Sequence, residues 1–286
     1  MPFLLILFLI ALVALFLYWQ LVWAEGTYLG KRPVAWLYNL VAHRYNDIKQ
    51  YAAEDDARYL GEPLALSLQG TPDPIVLDVA TGTSRLPLAL CKQPLFHGQI
   101  VALDNARRML HTATEYLRDY HDRVSWVWQH AVPLPFAADT FDAVTCLEAL
   151  EFMPSTRDAL HECLRVLKPG GLLLVTNRVG SGRWLLFGKT FSREGFVKLL
   201  QARGQIDITT QVWQYDYDLV WSIKPDESKI SEVLRSTPQN LERLNLSGLL
   251  RCPKCRLPLE HAGAAFTCRS CARRYPIGAD GVIELL

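Results

Sequence analysis

Twenty-one consecutive positions, from Phe3 to Trp23, carry no charged side chain, and Gln20 is the only strongly polar residue among them. As a helix at about 1.5 Å per residue this run is roughly 32 Å long, enough to cross the hydrocarbon core of a bilayer. Tyr18, Trp19 and Trp23 gather at one end, where an interfacial aromatic belt sits. A cleaved leader would have a basic start, a shorter apolar run and a small-x-small site. Here the first basic residue is Lys31, so the pattern predicts a retained single-pass helix over 1–24, in preference to a leader or a buried core helix. Lys31, Arg32, Arg44 and Lys49 follow the helix and no charged side chain precedes it. The positive-inside rule then puts the body of the chain in the cytosol.

Beyond this segment the pattern changes. Residues 28–70 read as helical and connecting material, with Trp36, Leu37, Leu40 and Val41 at helical spacing, and Pro72 and Pro74 punctuate its end. Short apolar runs at 75–79, 100–103, 124–128, 141–146 and 172–176 then predict five strands. Amphipathic stretches predict helices around 86–90, 106–117 and 158–167. Continuous apolar strands separated by helices imply a parallel sheet covered on both faces. A further helix, 191–203, closes at Gly204, and the alternating segments 206–213 and 217–223 predict a late hairpin that brings in antiparallel pairing. The fold class expected is therefore α/β, a Rossmann-like sheet of seven mostly parallel strands. Residues 225–248 are polar and aperiodic and read as a linker, which leaves a body over 25–224 and a C-terminal unit over 249–286.

Composition changes this picture in two places. With 30 basic and 29 acidic residues the net charge is +1, which gives no general argument for nucleic acid or acidic partners. Of seven cysteines, Cys91, Cys146 and Cys163 stand singly among apolar neighbours. The others form two knuckles, Cys252-Pro-Lys-Cys255 and Cys268-Arg-Ser-Cys271. Four thiolates so spaced predict a closed, tetrahedral, structural Zn²⁺ site, and with the single cysteines they imply a reducing compartment. The basic residues around the knuckles offset the negative charge of a four-thiolate zinc site. Without an aromatic-plus-basic stripe, a stabilising or docking role is favoured over RNA binding.

The first strand runs into Asp78-Val79-Ala80-Thr81-Gly82-Thr83-Ser84, small residues that let a backbone turn tightly against a ligand. Asp104 ends the second strand, 22 residues after Gly82, where a carboxylate can accept both hydroxyls of a ribose or simply cap a helix. Glu148 and Glu151, just past the fourth strand, are in the neighbourhood for a base, although their spacing equally suits a solvated face or a helix start. No general base is assigned.

The runs VLDVATGTSRLPLAL (76–90), IVALDNARRML (100–110), LPFAADTFDAVTCLEALEFM (134–153), LRVLKPGGLLLVTNR (164–178) and FSREGFVKLLQARG (191–204) together resemble the class I S-adenosylmethionine (SAM)-dependent methyltransferases, in order, over 75–223. The subgroup most alike contains the ubiquinone and menaquinone C-methyltransferases. A dinucleotide-binding turn would need glycines where Ala80 and Ser84 stand. The resemblance implies that Asp78 orients the methionine amino group and that Ala80, Thr81 and Gly82, in a turn closed by Ser84, supply close backbone approach. It further implies that Asp104 takes the ribose diol and that Asn105 lies along the adenine. The family commonly has an aspartate before the Leu-Pro-Phe run, and this chain has His130 there, followed by Ala131. A neutral imidazole can accept one hydrogen bond from adenine, although a histidine there can also merely end a strand. Residues 249–286 resemble the small zinc-ribbon proteins that activate tRNA and release-factor methyltransferases.

SAM already carries an activated methyl, so the protein need only align an acceptor and exclude water. The anchor and the subgroup together predict an apolar, membrane-resident acceptor of quinone or lipid type. The alternatives are an enzyme acting on RNA or a translation protein, and a non-catalytic SAM-fold membrane module. Acceptor atom and oligomeric state are not legible.

Overall fold

The computed structural model describes residues 2–226 and 246–286. Most of the segment read as a linker therefore lies outside the described residues. Helix α1 (Pro2–Tyr18) continues through a wider, π-helical turn at Trp19–Trp23. Its large side chains from Phe3 to Tyr18 are 46–70% exposed. Among the described residues it is the one helix long and apolar enough to cross a membrane. Among the described residues, its foot is what meets the body. There Trp19 Nε1 donates to the Leu185 carbonyl at 3.1 Å, and Ala24 packs with Phe152 and Leu186. Gly182 permits the approach, because a Cβ there would lie 3.1 Å from the Trp23 ring.

Four short helices follow: α2 (Lys31–Val41), α3 (Tyr45–Lys49), α4 (Ala53–Asp56) and α5 (Glu62–Leu68). The apolar residues at helical spacing on α2 confirm the helix but do not all face inward. Trp36 and Leu40 are 57% and 47% exposed, whereas Val34 is buried and Tyr38 packs near Ala42, Ala106 and Met109. Both faces of α2 carry apolar residues, so periodicity alone could not choose between them.

The body alternates β1 (Ile75–Val79), α6 (Arg85–Cys91), β2 (Gln99–Asp104), α7 (Arg107–Tyr116), β3 (Val124–Trp128), β4 (Phe141–Cys146), α8 (Thr156–Val166), β5 (Leu167–Arg178), α9 (Arg193–Gln201), β6 (Ile206–Trp213) and β7 (Tyr217–Ile223). All seven expected strands are present, and β7 runs antiparallel between β5 and β6. The chain winds outward from β1 to β2 and β3 on one side and to β4 and β5 on the other. This reversal opens a crevice at the carboxyl ends of β1, β2 and β4, where open α/β sheets hold ligands.

The C-terminal unit contains β8 (Glu260–His261), β9 (Ala265–Thr267) and β10 (Arg274–Pro276) in a small antiparallel sheet, and then β11 (Ile283–Glu284). Strand β11 leaves its own unit and becomes an eighth strand of the main sheet, parallel to β3, with Ile283 opposite Val127 and Glu284 opposite Trp128. Arg107 on α7 fixes it through Asp280 (two contacts of 2.8 Å) and Glu284 (3.0 Å). Leu250, Leu259, Phe266, Tyr275 and Leu285 share one core with Val127, Leu134 and Phe136 of the body. A strand of two residues is too short for alternation to announce it.

Candidate functional site

The β1 turn is built on strained backbone. Ala80, Gly82 and Ser84 all have positive φ, at 57°, 56° and 67°. Only glycine adopts this region freely, so the alanine and the serine each cost about 1 kcal/mol or more. The two residues that break a glycine-rich pattern thus keep a glycine's conformation. Asp104 holds the turn in place: its carboxylate accepts from Gly82 N and Ala106 N, each at 2.8 Å. Asp78, buried beneath, accepts from the hydroxyls of Thr81 and Thr145, each at 2.6 Å.

The crevice contains two adjoining cavities. Ala80, Gly82, Asp104, Asn105, His130 and Ala131 line the larger, joined by Gln129. Asp78, Thr81 and Arg85 line the narrower one. Ala80, Gly82, Tyr45, Leu147 and Glu148 border both. Of the residues assigned to the cofactor in the sequence only Ser84 reaches neither wall; it is fully buried and its hydroxyl lies 3.1 Å from that of Thr81.

Burial raises the Asp78 carboxyl to about 6 and also raises that of Asp104. Hydroxyl and amide donors oppose the rise, and among the described residues no cation stands beside either group. Two buried carboxylates without a positive partner suit a ligand that brings a cation and hydroxyl donors, as the ammonium and ribose of SAM would. Across the cavity, burial and then the Lys31 charge lower His130 to about 4, so its ring is neutral near pH 7. Its Nδ1 is buried with no partner among the described residues, and is available to one hydrogen bond.

The opposite wall comes from a segment in which the sequence suggested no function. Lys31, Val34, Tyr38 and Tyr45, all on or near α2 and α3, close the larger cavity. Lys31 Nζ donates to the Val132 carbonyl at 2.7 Å, and the Tyr38 hydroxyl donates to Glu25. Burial raises the Glu25 carboxyl. The available signal was three tyrosines, 38, 45 and 51, close together in a helical stretch. Glu148 and Glu151 are not on a solvated face. Glu148 lines both cavities but is held by Arg85 at 2.8 Å and Lys49 at 3.3 Å. Glu151 is buried off the cavity and accepts from the Tyr217 hydroxyl.

In the C-terminal unit the sulfurs of Cys252, Cys255, Cys268 and Cys271 all lie within 4.8 Å of one another. Cys252 and Cys271 are 3.7 Å apart, and Cys255 and Cys268 3.3 Å. A tetrahedral zinc with bonds of about 2.3 Å sets its sulfurs roughly 3.8 Å apart, so the cluster fits that ion.

A family described as a methyltransferase domain matches residues 77–175. The chain is 30% identical over 208 residues to the ubiquinone/menaquinone biosynthesis C-methyltransferase of Azotobacter vinelandii, covering 71% of this chain and 80% of that one. It is 32% identical over 178 residues to the enzyme of that name from Blochmanniella pennsylvanica, covering 60% and 68%. Against the demethylmenaquinone methyltransferase of Desulfitobacterium hafniense the identity is 28% over 175 residues, covering 56% and 68%. Among solved structures, the [4+2]-cyclase SpnF superposes with a TM-score of 0.58 at 20% identity, over 68% of this chain and 96% of that one. A putative S-adenosyl-L-methionine-dependent methyltransferase of Methanococcus maripaludis gives 0.52 at 19%, over 68% and 95%. These structural likenesses concern the fold alone.

Proposed function

The chain belongs to the ubiquinone/menaquinone C-methyltransferase family of class I SAM-dependent methyltransferases, and we propose that it methylates a ring carbon of an isoprenoid-tailed hydroquinone at a membrane surface. One observation carries this reading: the larger cavity, lined by Asp104 and adjoining the one lined by Asp78, abuts the foot of an exposed apolar helix. Phe152 lines that cavity and packs with Ala24 and Leu186 in the cluster that Trp19 joins. A helix with this much apolar surface is costly in water and at rest in lipid. In this reading residues 1–24 anchor the chain and the body lies on the cytosolic side, as the basic flank suggests.

When bound, SAM supplies an electrophilic methyl on a sulfonium. Asp78 is assigned to its ammonium group, Asp104 to the ribose hydroxyls, and the backbone of Ala80, Thr81 and Gly82 to close approach. Asn105, His130 and the Ala131 amide are assigned to the adenine. Leu147, Phe152 and Met153 supply apolar wall against the acceptor ring and keep water out. A hydroquinone is more electron-rich than its quinone, which suits attack on an electrophile. Methylation at carbon also releases one proton. Because Tyr38 Oη donates to Glu25 Oε2, its lone pairs can take that proton while its own passes to the Glu25 carboxylate.

The test is label transfer. Detergent-solubilised protein given SAM with a radioactive methyl and a host extract is expected to put counts in the organic phase, on a prenylated hydroquinone. Counts confined to RNA or protein would defeat the reading.

The four-cysteine cluster is assigned to structural zinc. Elemental analysis is expected to find about one zinc per chain, and close to none after Cys252→Ser with Cys255→Ser. A metal-free parent chain would remove this assignment.

A further inference from the structure

We propose that the apolar groove between the foot of α1 and the loop carrying Leu185 and Phe187 holds the isoprenoid tail of the acceptor. The proposal rests on the hydroquinone reading and extends it to a second subsite. Leu12, Leu15, Phe16 and Trp19 form one wall of the groove, Leu185 and Phe187 the other, and among the described residues no charged side chain lines it.

The groove is built rather than incidental. Trp19 Nε1 bonds the Leu185 carbonyl, and the Tyr28 hydroxyl bonds the Phe187 carbonyl at 2.9 Å. Both bonds fix the loop through its backbone, leaving its side chains free to make a surface. The rings of Phe16 and Trp19 lie 5.8 Å apart, and those of Trp19 and Phe187 6.1 Å. Leu186, between the two outward residues, is buried with Ala24 and Phe152. Trp19, in the groove wall, packs against this cluster, and Phe152 of the same cluster lines the larger cavity, so the groove and the cavity adjoin through one apolar cluster.

The occupant follows from this adjacency. A ring in the cavity and a branched hydrocarbon chain in the groove would belong to one molecule, with the chain leaving toward the lipid that surrounds α1. From Leu12 to Trp23 the helix offers about 16 Å of groove length, enough for an extended tail. A charged acceptor would find no counter-charge among the described residues that line it.

The experiment uses the full chain in phosphatidylcholine vesicles with two acceptors, a hydroquinone bearing a long prenyl tail and the same ring without one. The double variant Phe16→Ala, Phe187→Ser is expected to raise KM for the tailed acceptor about tenfold, leaving kcat and both constants for the tail-less ring unchanged. An unchanged KM for the tailed acceptor, or an equal loss with both, overturns the proposal. A tailed hydroquinone with a diazirine in its tail separates this idea from the activity itself. Crosslinking to peptides containing Phe16 or Phe187, displaced by unlabelled tailed hydroquinone, supports the subsite even if no methyl moves. Crosslinking that excess phosphatidylcholine displaces equally would mean that the groove holds bulk lipid, and would overturn it.

Discussion

Replacing Asp104 by alanine is expected to weaken SAM binding by about 100-fold or more. A carboxylate that accepts two ribose hydroxyls makes two charge-assisted hydrogen bonds, each worth about 1.5–3 kcal/mol, and about 1.4 kcal/mol is a factor of ten. The same substitution strips the acceptor from Gly82 N and Ala106 N, so the melting temperature should fall as well. Asp104→Asn separates the two effects. It keeps one acceptor oxygen and the side-chain shape, and should lose about tenfold in affinity with a smaller thermal shift. Titration calorimetry and thermal melts of the ligand-free protein read both quantities. If Asp104→Ala binds as tightly as the parent, the ribose lies elsewhere.

Asp78→Asn should move stability and affinity in opposite directions. Burial raises this carboxyl from its usual 3.8 to about 6 in the fold. Protonation therefore favours the folded chain: the contribution is full below pH 4 and is lost as pH rises through 6. A shift of two units corresponds to roughly 3 kcal/mol of cost for the ionised group. At pH 8 the ligand-free asparagine variant should thus melt several degrees above the parent, and near pH 4 the difference should vanish. Its affinity for SAM should drop at least tenfold, because the ammonium loses its counter-charge. In the parent, affinity should weaken as pH falls below about 6. A variant no more stable than the parent at pH 8 would mean that Asp78 is already compensated in the ligand-free state.

The sequence was informative where one physical constraint dominates. Strands buried on both faces must be apolar throughout and half-buried ones alternate; the bounds expected for β1, β3 and β4 on the first ground and for β6 and β7 on the second coincide with those observed. The turn after β1 and the end of β2 had to meet because parallel neighbours put their carboxyl ends together, which brings Asp104 to Gly82 across 22 residues. The lid over the cavity was hidden for a different reason. On α2 the apolar residues lie on both faces, and the inward set, Val34 with Tyr38, is less hydrophobic than the outward set, Trp36 with Leu40. Long-range charge pairing was equally silent: Arg107 and Asp280 are 173 positions apart, and neither has a local partner that marks it. Glu151, read as suited to a solvated face, is buried because Tyr217, from the late hairpin, offers it a hydroxyl.

A sheet has two flanks, and an unpaired flank is a template for a foreign strand. In this chain β6 guards one flank with exposed Asp207, Thr209, Thr210 and Gln211, a break in register and a positive φ at Asp207. The other flank, β3, carries buried Trp126 and Val127 and, among the described residues, pairs outward only with β11. The residues that bear the four cysteines therefore also keep β3 from pairing with other copies of the chain. Loosening that unit would uncover an apolar strand edge to other molecules, and would also free Gln129, a residue of the larger cavity, from the Leu285 carbonyl it donates to.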